Sequence, residues 1–317
     1  MDGAVSELPQ VVRVREVGPR DGFQNEPEVI ATERKIELID ALARTGLRRL
    51  EVTSFVRPDV IPQLADAGAV LAGIDVPEQV AVSVLIPNER GLDTALQLRE
   101  QAGGSRAAFD EVNVFMSASE THNRKNVNRS IEESLGGLEG VLARARDAGL
   151  RCEAVISTSF GCPYEGHVPP DRVLEIAVRL RDAGAQEVGF GDTTGMANPL
   201  QVREFFAAAA DALGQEVELT AHFHNTRGQG LANVLAALEA GVSSFESSFG
   251  ELGGCPVPAG ATGNIASEDL VSMLHEMGIQ TGIDLQALLA CARRVQEVLG
   301  RPLGSHTLVA GPVDWQR

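Results

Sequence analysis

The stretch Glu218-Leu219-Thr220-Ala221-His222-Phe223-His224, followed by the amphipathic segment Gly228–Ala240, the glycine Gly241 and a further apolar run over 243–249, decides the fold. A short apolar run reads as a β-strand, and a longer run with helical periodicity reads as an α-helix. The glycine after it suits a helix C-cap. Strand, helix and strand in that order form a βα unit whose strands run parallel. Working outward, the same unit recurs along the chain. Strands are expected near 11–17, 47–54, 80–86, 111–117, 151–158, 187–192, 218–224 and 243–249. Between them lie amphipathic segments such as Thr32–Thr45, Asn88–Gln101, Ser130–Ala148, Pro170–Ala183 and Pro199–Leu213, several ended by a glycine (Gly46, Gly149, Gly184, Gly214). Eight such units are the number that closes an α/β (β/α)8 barrel, the TIM barrel. Glu268–Met277 and Leu285–Leu299 predict two additional C-terminal helices. With no Pro/Gly/Ser linker, the expectation is one domain over 1–317, the barrel at about 11–265 and the helices at about 267–300. The alternative, a doubly wound open sheet, calls for a G-x-G-x-x-G loop after the first strand. Gly18-Pro19-Arg20-Asp21-Gly22 lacks that spacing.

Composition narrows the function classes. The 317 residues suit a barrel, which typically takes about 250. A formal charge of −17 argues against nucleic acid, which calls for a basic footprint. It leaves an anionic substrate open, because a local arginine or a metal inverts the field within one cleft. No apolar run of about 18 residues is present, so no membrane span is expected. The acidic N-terminal stretch resembles neither a signal nor a transit peptide, so a cytoplasmic location is the default. The four cysteines form no Cys-x-x-Cys pair, which points to reduced thiols rather than a disulfide framework.

In a barrel the chemistry belongs at the C-terminal ends of the strands. Residues two apart on a strand share a face, so His222 and His224 can meet one ion. Arg20 and Asp21 follow the first strand, Glu51 and Ser54 end the second, and Asp192 ends the sixth. Cys255 and Asn264 lie in the glycine-rich stretch after the eighth. Asp21, the two histidines and the Asn264 amide oxygen form a mixed O/N set suited to Mg²⁺ or Mn²⁺ rather than to a thiolate-rich zinc site. Each has a plain structural reading too: Asp21 as a turn residue before Gly22, Asn264 as a residue near a helix N-cap, Glu51 as the buried ion-pair mate of Arg20. Cys255 reads either as a small buried apolar residue or as a loop thiol with a chemical role. His122, His167, His275 and His306 read as surface or core.

Glu16-Val17-Gly18-Pro19-Arg20-Asp21-Gly22-Phe23-Gln24-Asn25-Glu26 and Ala221-His222-Phe223-His224-Asn225-Thr226 resemble the hydroxymethylglutaryl-CoA lyase family of metal-dependent lyase and condensing-enzyme barrels. The likeness extends over Glu51–Phe55, Gly161–Gly166, Gly191–Thr193 and Gly253–Asn264, so it spans about Val11 to Leu299. It implies retro-Claisen cleavage of a 3-hydroxy-3-substituted acyl-CoA, 3-hydroxy-3-methylglutaryl-CoA first among them, to acetyl-CoA and acetoacetate, a step of leucine degradation. By the same resemblance Asp21, His222, His224 and Asn264 hold the cation, and Arg20 stabilises the enolate. Cys255 takes part in proton transfer, with Glu51 and Asp192 completing the catalytic set. Gln24, Ser54, Val155 and Gly189 fall on the substrate side. A homo-oligomer is also implied.

The chain departs from that family around the acyl pocket. Val155 stands where the family usually has tyrosine, and Gly189 where it usually has serine. Both changes remove bulk and a hydroxyl, which alters specificity more than reaction type. A citramalyl or longer branched acyl-CoA is therefore an alternative substrate. Three rival readings are a condensing enzyme of the isopropylmalate-synthase type, a biotin-dependent carboxyltransferase and a non-catalytic barrel. The second needs a lysine at the barrel mouth, and only Lys35 and Lys125 exist, neither ending a strand.

Overall fold

Eight strands pair in sequence order and in parallel, and the last pairs with the first, so the sheet closes. The computed structural model describes residues 8–102, 108–254 and 262–315. The strands are β1 (Arg13–Glu16), β2 (Arg49–Ser54), β3 (Ala81–Leu85), β4 (Glu111–Ser117), β5 (Arg151–Ser157), β6 (Glu187–Asp192), β7 (Glu218–Phe223) and β8 (Ser244–Ser247). Each lies within about two residues of the expected position. The helices are α1 (Thr32–Leu42), α2 (Ala67–Gly73), α3 (Glu89–Gln101), α4 (Glu120–Val127), α5 (Ile131–Asp147), α6 (Pro170–Asp182), α7 (Pro199–Leu213), α8 (Gly230–Glu239), α9 (Ser267–Glu276), α10 (Leu285–Leu299) and α11 (His306–Ala310).

Alternation along each strand separates two kinds of interior. One parity carries Val14, Leu50, Val82, Val112, Ile156, Phe190, Phe223 and Phe245, all buried in the main apolar core. The other parity carries polar and charged side chains that meet inside the barrel. Arg15 hydrogen-bonds Glu153, Glu187 and Glu246, while Arg49 binds Glu111 and Glu187. Barrel interiors are usually filled by branched apolar residues; here an ion network fills the same volume. Nearby arginines hold the Glu187 carboxyl well below the usual carboxylate range, outweighing the desolvation that pushes it up.

At the end of β1 the chain enters a π-helical turn, Gly18–Gly22, in which Arg20 and Asp21 both donate to the Val17 carbonyl. Such turns are rare and often mark functional sites. Gly18 is required there: a Cβ would lie 2.3 Å from the Phe249 ring. On β2 the register slips between Glu51 and Thr53, a local irregularity at the rim. No helix among the described residues is long and apolar enough to cross a membrane.

Candidate metal and acyl site

Asp21, His222 and His224 each offer a ligand atom, and these atoms all lie within 4.8 Å of one another. Three separate features bring them together. The π turn after β1 aims Asp21 at the barrel axis, the two-residue period of β7 puts both rings on the inner face, and a returning segment fixes the fourth residue. In that segment Asn264 bridges to His224, and Ile265 N donates to the Phe223 carbonyl at 3.0 Å. Asn264 Nδ2 then donates to Asp21 Oδ2 at 2.7 Å and to the Leu252 carbonyl at 3.0 Å. Its Oδ1 is buried without a hydrogen-bond partner among the described residues.

The residues fit a divalent cation. His222 Nε2 and His224 Nε2 face each other at 3.1 Å, two imidazole edges pointed at one place. Burial pushes the Asp21 carboxyl up, but Arg20, His222 and His224 outweigh it and hold the group ionised. Burial, reinforced by His222, pushes His224 down to about 4, leaving a neutral ring with a lone pair to give. His222 is shifted the other way: burial pushes it down, but Glu246 and Asp21 outweigh burial and raise its pKa. An anionic oxygen, two imidazoles and an unclaimed amide oxygen make a hard-to-borderline donor set. Gly253 presses on this group with φ of +91°, and a Cβ there would lie 2.5 Å from Asn264 Nδ2 and 2.6 Å from Asp21 Oδ2.

Arg20 is clamped beside the ligands. Its Nε and Nη2 each donate to Glu51 Oε2 at 2.6 Å, and Nη1 donates to Asp21 Oδ1 at 2.6 Å. Glu51 is fully buried and also accepts from Asn113 Nδ2 at 3.2 Å. Burial raises its pKa in spite of Arg20. The structural reading of Glu51 as the mate of Arg20 thus holds together with its place at the site. Gln24 Nε2 reaches Asp21 Oδ1 at 3.2 Å.

A cavity of about 400 Å³ opens beside these groups. Arg20, Asp21, Gln24, His222, His224 and Glu246 give its polar part, and Val56, Ile61, Leu85, Phe115 and Val155 its apolar part. Three other site expectations lie elsewhere. Asp192 turns one oxygen to the backbone N–H groups of Met196 and Ala197, at 2.7 and 3.1 Å, and leaves Oδ2 buried without a partner among the described residues. Desolvation drives its pKa up to about 7. Ser54 lines a different cavity, of about 510 Å³, with Arg57, Asn88 and Arg90. Gly189 is the cross-strand partner of Val155, and a Cβ on it would meet Val155 Cγ2 at 3.0 Å, so the valine occupies the space the glycine leaves. Cys255 lies outside the described residues.

Sequence reasoning missed two groups that hold the site. Glu246 Oε2 lies 2.8 Å from His222 Nδ1, and Asn113 bonds Glu51. The signal for Glu246 was an acid in the middle of a buried strand. His122, expected at the surface or in the core, instead lines the cavity with Lys125 and Tyr164, the ammonium standing 4.2 Å from the tyrosine ring centre.

Together these features define a (β/α)8 barrel carrying a mixed carboxylate and imidazole site for a divalent cation at the C-terminal rim of its strands, with an arginine alongside. The chain belongs to the HMGL-like family, whose model matches residues 11–295. It is 47% identical over 300 residues to the hydroxymethylglutaryl-CoA lyase YngG of Bacillus subtilis, covering 95% of this chain and 97% of that one. A crystal structure of the Bacillus subtilis HMG-CoA lyase superposes with a TM-score of 0.90 at 46% identity, covering 95% and 98% of the two chains. An HMG-CoA lyase from Acinetobacter baumannii, solved with coenzyme A and 3-methylmalate, superposes at 0.89 with 38% identity, covering 97% and 98%. The relatives are carbon–carbon lyases, and the resemblance seen in the sequence is the family itself.

Proposed function

We propose that this protein cleaves 3-hydroxy-3-methylglutaryl-CoA to acetyl-CoA and acetoacetate, using Mg²⁺ or Mn²⁺. The observation that carries the reading is the convergence of Asp21, His222 and His224 beside Arg20 on one cavity, in a chain nearly half identical to a hydroxymethylglutaryl-CoA lyase. Asp21, His222, His224 and Asn264 would hold a divalent cation, which would supply Lewis acidity. The protein's own groups do the rest. Glu51 holds the Arg20 guanidinium with two N–H groups on one carboxylate oxygen, so a preorganised cation awaits the negative charge that develops on the departing enolate. The base that takes the proton of the tertiary hydroxyl is one of the site histidines, Asp192 or a water; burial raises Asp192 to about 7, but its side chain does not line the cavity. Gln24 steadies the Asp21 carboxylate. Cys255 follows Gly254, which lines the cavity, and its assignment to protonating the enolate rests on that position in the chain. The single-domain organisation over 1–317, a cytoplasmic setting, a place in leucine degradation and assembly as a homo-oligomer complete the proposal.

The test is incubation of the purified protein with 3-hydroxy-3-methylglutaryl-CoA and Mg²⁺ or Mn²⁺, with products weighed by mass spectrometry. Equimolar acetyl-CoA and acetoacetate, lost on chelation, support the reading. Intact substrate in the presence of metal refutes it. A second substrate reading has its own observation: Val56, Ile61, Leu85, Phe115 and Val155 give the cavity apolar lining that can accept a larger C3 substituent. It predicts a kcat/KM for a longer branched homologue above that for the methylglutaryl thioester. The opposite ranking removes it.

A further inference from the structure

Arg15, Glu246 and His222 form one row across the barrel. Arg15 of β1 is the register partner of Glu246 of β8, and Glu246 is the register partner of His222 of β7. Along that row Arg15 Nη1 donates to Glu246 Oε1 at 2.9 Å, and Glu246 Oε2 stands 2.8 Å from His222 Nδ1. All three side chains are at most about a tenth exposed. Glu246 touches no other member of the Asp21, His222 and His224 cluster through a hydrogen bond, and Arg15 touches none of them.

We propose that Arg15 and Glu246 are positioning residues that set the tautomer and ring orientation of His222 for the cation. The inference rests on the metal reading of the site. An ionised carboxylate only accepts hydrogen bonds, so its contact with Nδ1 places the proton there. The lone pair is then left on Nε2, the nitrogen that faces His224 and Asp21. Arg15 Nη1, donating to Oε1, fixes the direction of the carboxylate so that Oε2 meets Nδ1. The same guanidinium is shared with Glu153 and Glu187, which ties the orientation of a rim histidine to the ion network filling the barrel below it. Carboxylates behind ligating histidines commonly contribute 10–100-fold in metal affinity.

Two measurements test this on the full chain stripped of metal. The first is Mn²⁺ affinity by titration calorimetry for wild type, Glu246→Gln, Arg15→Lys and the control Glu153→Gln. Glu153 shares Arg15 but makes no contact with His222. Glu246→Gln should weaken Mn²⁺ binding about 10–100-fold and Arg15→Lys should weaken it less. Glu153→Gln should leave the affinity within about twofold even if it shifts Tm. The second is the ¹⁵N imidazole spectrum of metal-free protein, in which His222 should be protonated at Nδ1 in wild type and lose that fixed tautomer in Glu246→Gln. If Glu246→Gln does not fold, Glu246→Asp retracts the carboxylate by one methylene and should give an intermediate loss. A folded Glu246→Gln protein with wild-type affinity overturns the proposal, and so does a Glu153→Gln protein weakened as much as Glu246→Gln. Wild-type protein that binds no Mn²⁺ overturns the metal site itself, whereas a wild-type protein that binds Mn²⁺ with His222 protonated at Nε2 overturns only the relay.

Discussion

Replacing Arg20 by glutamine removes the partner of a carboxylate that has almost no other. In the native site Glu51 Oε2 accepts from Nε and Nη2 of Arg20, and among the described residues only the Asn113 amide, at 3.2 Å on Oε1, hydrogen-bonds it when the guanidinium goes. Glu51 is fully buried. Breaking a buried pair by deleting one partner costs about 3–5 kcal/mol, which for a domain of this size corresponds to a fall in Tm of about 6 °C or more. Turnover of the proposed substrate should drop at least about a hundredfold, the scale of one preorganised donor aimed at developing charge. The two effects separate in a double-mutant cycle. Adding Glu51→Gln to Arg20→Gln removes the stranded charge and should restore about 1–3 kcal/mol of stability without restoring activity. Urea unfolding monitored by circular dichroism, beside the acetyl-CoA release assay, reads both. Burial already raises the pKa of Glu51, so the Arg20→Gln deficit should shrink as pH falls and the carboxyl protonates. A double variant no more stable than Arg20→Gln, or a single variant with wild-type Tm and turnover, would refute the argument.

Further outcomes follow from the same geometry. Gly253→Ala forces a side chain into a left-handed backbone position and against Asp21 and Asn264, so calorimetry should find weakened Mn²⁺ binding with the far-ultraviolet spectrum unchanged; unaltered affinity would show that the contact yields. Metal removal should lower Tm, because a ligand present at a hundred times its Kd stabilises by about 2.7 kcal/mol, and a scan identical with and without chelator would contradict that. Glu268 accepts the Gly250 N–H in a buried place, and burial raises its pKa from 4.5 to about 8. In that interval the folded chain keeps a proton that the unfolded chain releases, so this group's contribution to stability falls as pH rises from about 4.5 to 8. Glu268→Gln, which cannot titrate, should therefore gain in Tm relative to wild type across that range, and a difference independent of pH would sink the reading.

The barrel was legible because its strands are short apolar runs and its helices end in glycine, two local signals that agree with the closed topology. Helices α2, α4 and the five-residue α11 were not. Ala67–Gly73 has no polar face to set a period, and Glu120–Val127 is polar up to its last residue, held by Ser119 at its N-cap rather than by an apolar stripe. The ion network inside the barrel escaped notice for another reason. Arg15, Glu153 and Glu246 look like solvent-facing residues until strand register places them opposite one another. Asp21, His222 and His224 could be read from position at strand ends, and Asn264 from the family likeness. Glu246 and Asn113 could not, since each acts through a partner on another strand, and His122 depends on α4 to reach the cavity. Position at a strand end also says nothing of where a side chain turns, which is why Ser54 faces a separate cavity.

Four ligands remote in sequence gather round one cation in the function proposed for this chain. Crystals grown with Mn²⁺ and measured at the manganese absorption edge test it most directly. A single anomalous peak per chain is expected within coordinating reach, about 2.0–2.6 Å, of Asp21, His222, His224 and Asn264. A peak bound elsewhere on the chain, or none among these residues at saturating Mn²⁺, would contradict it.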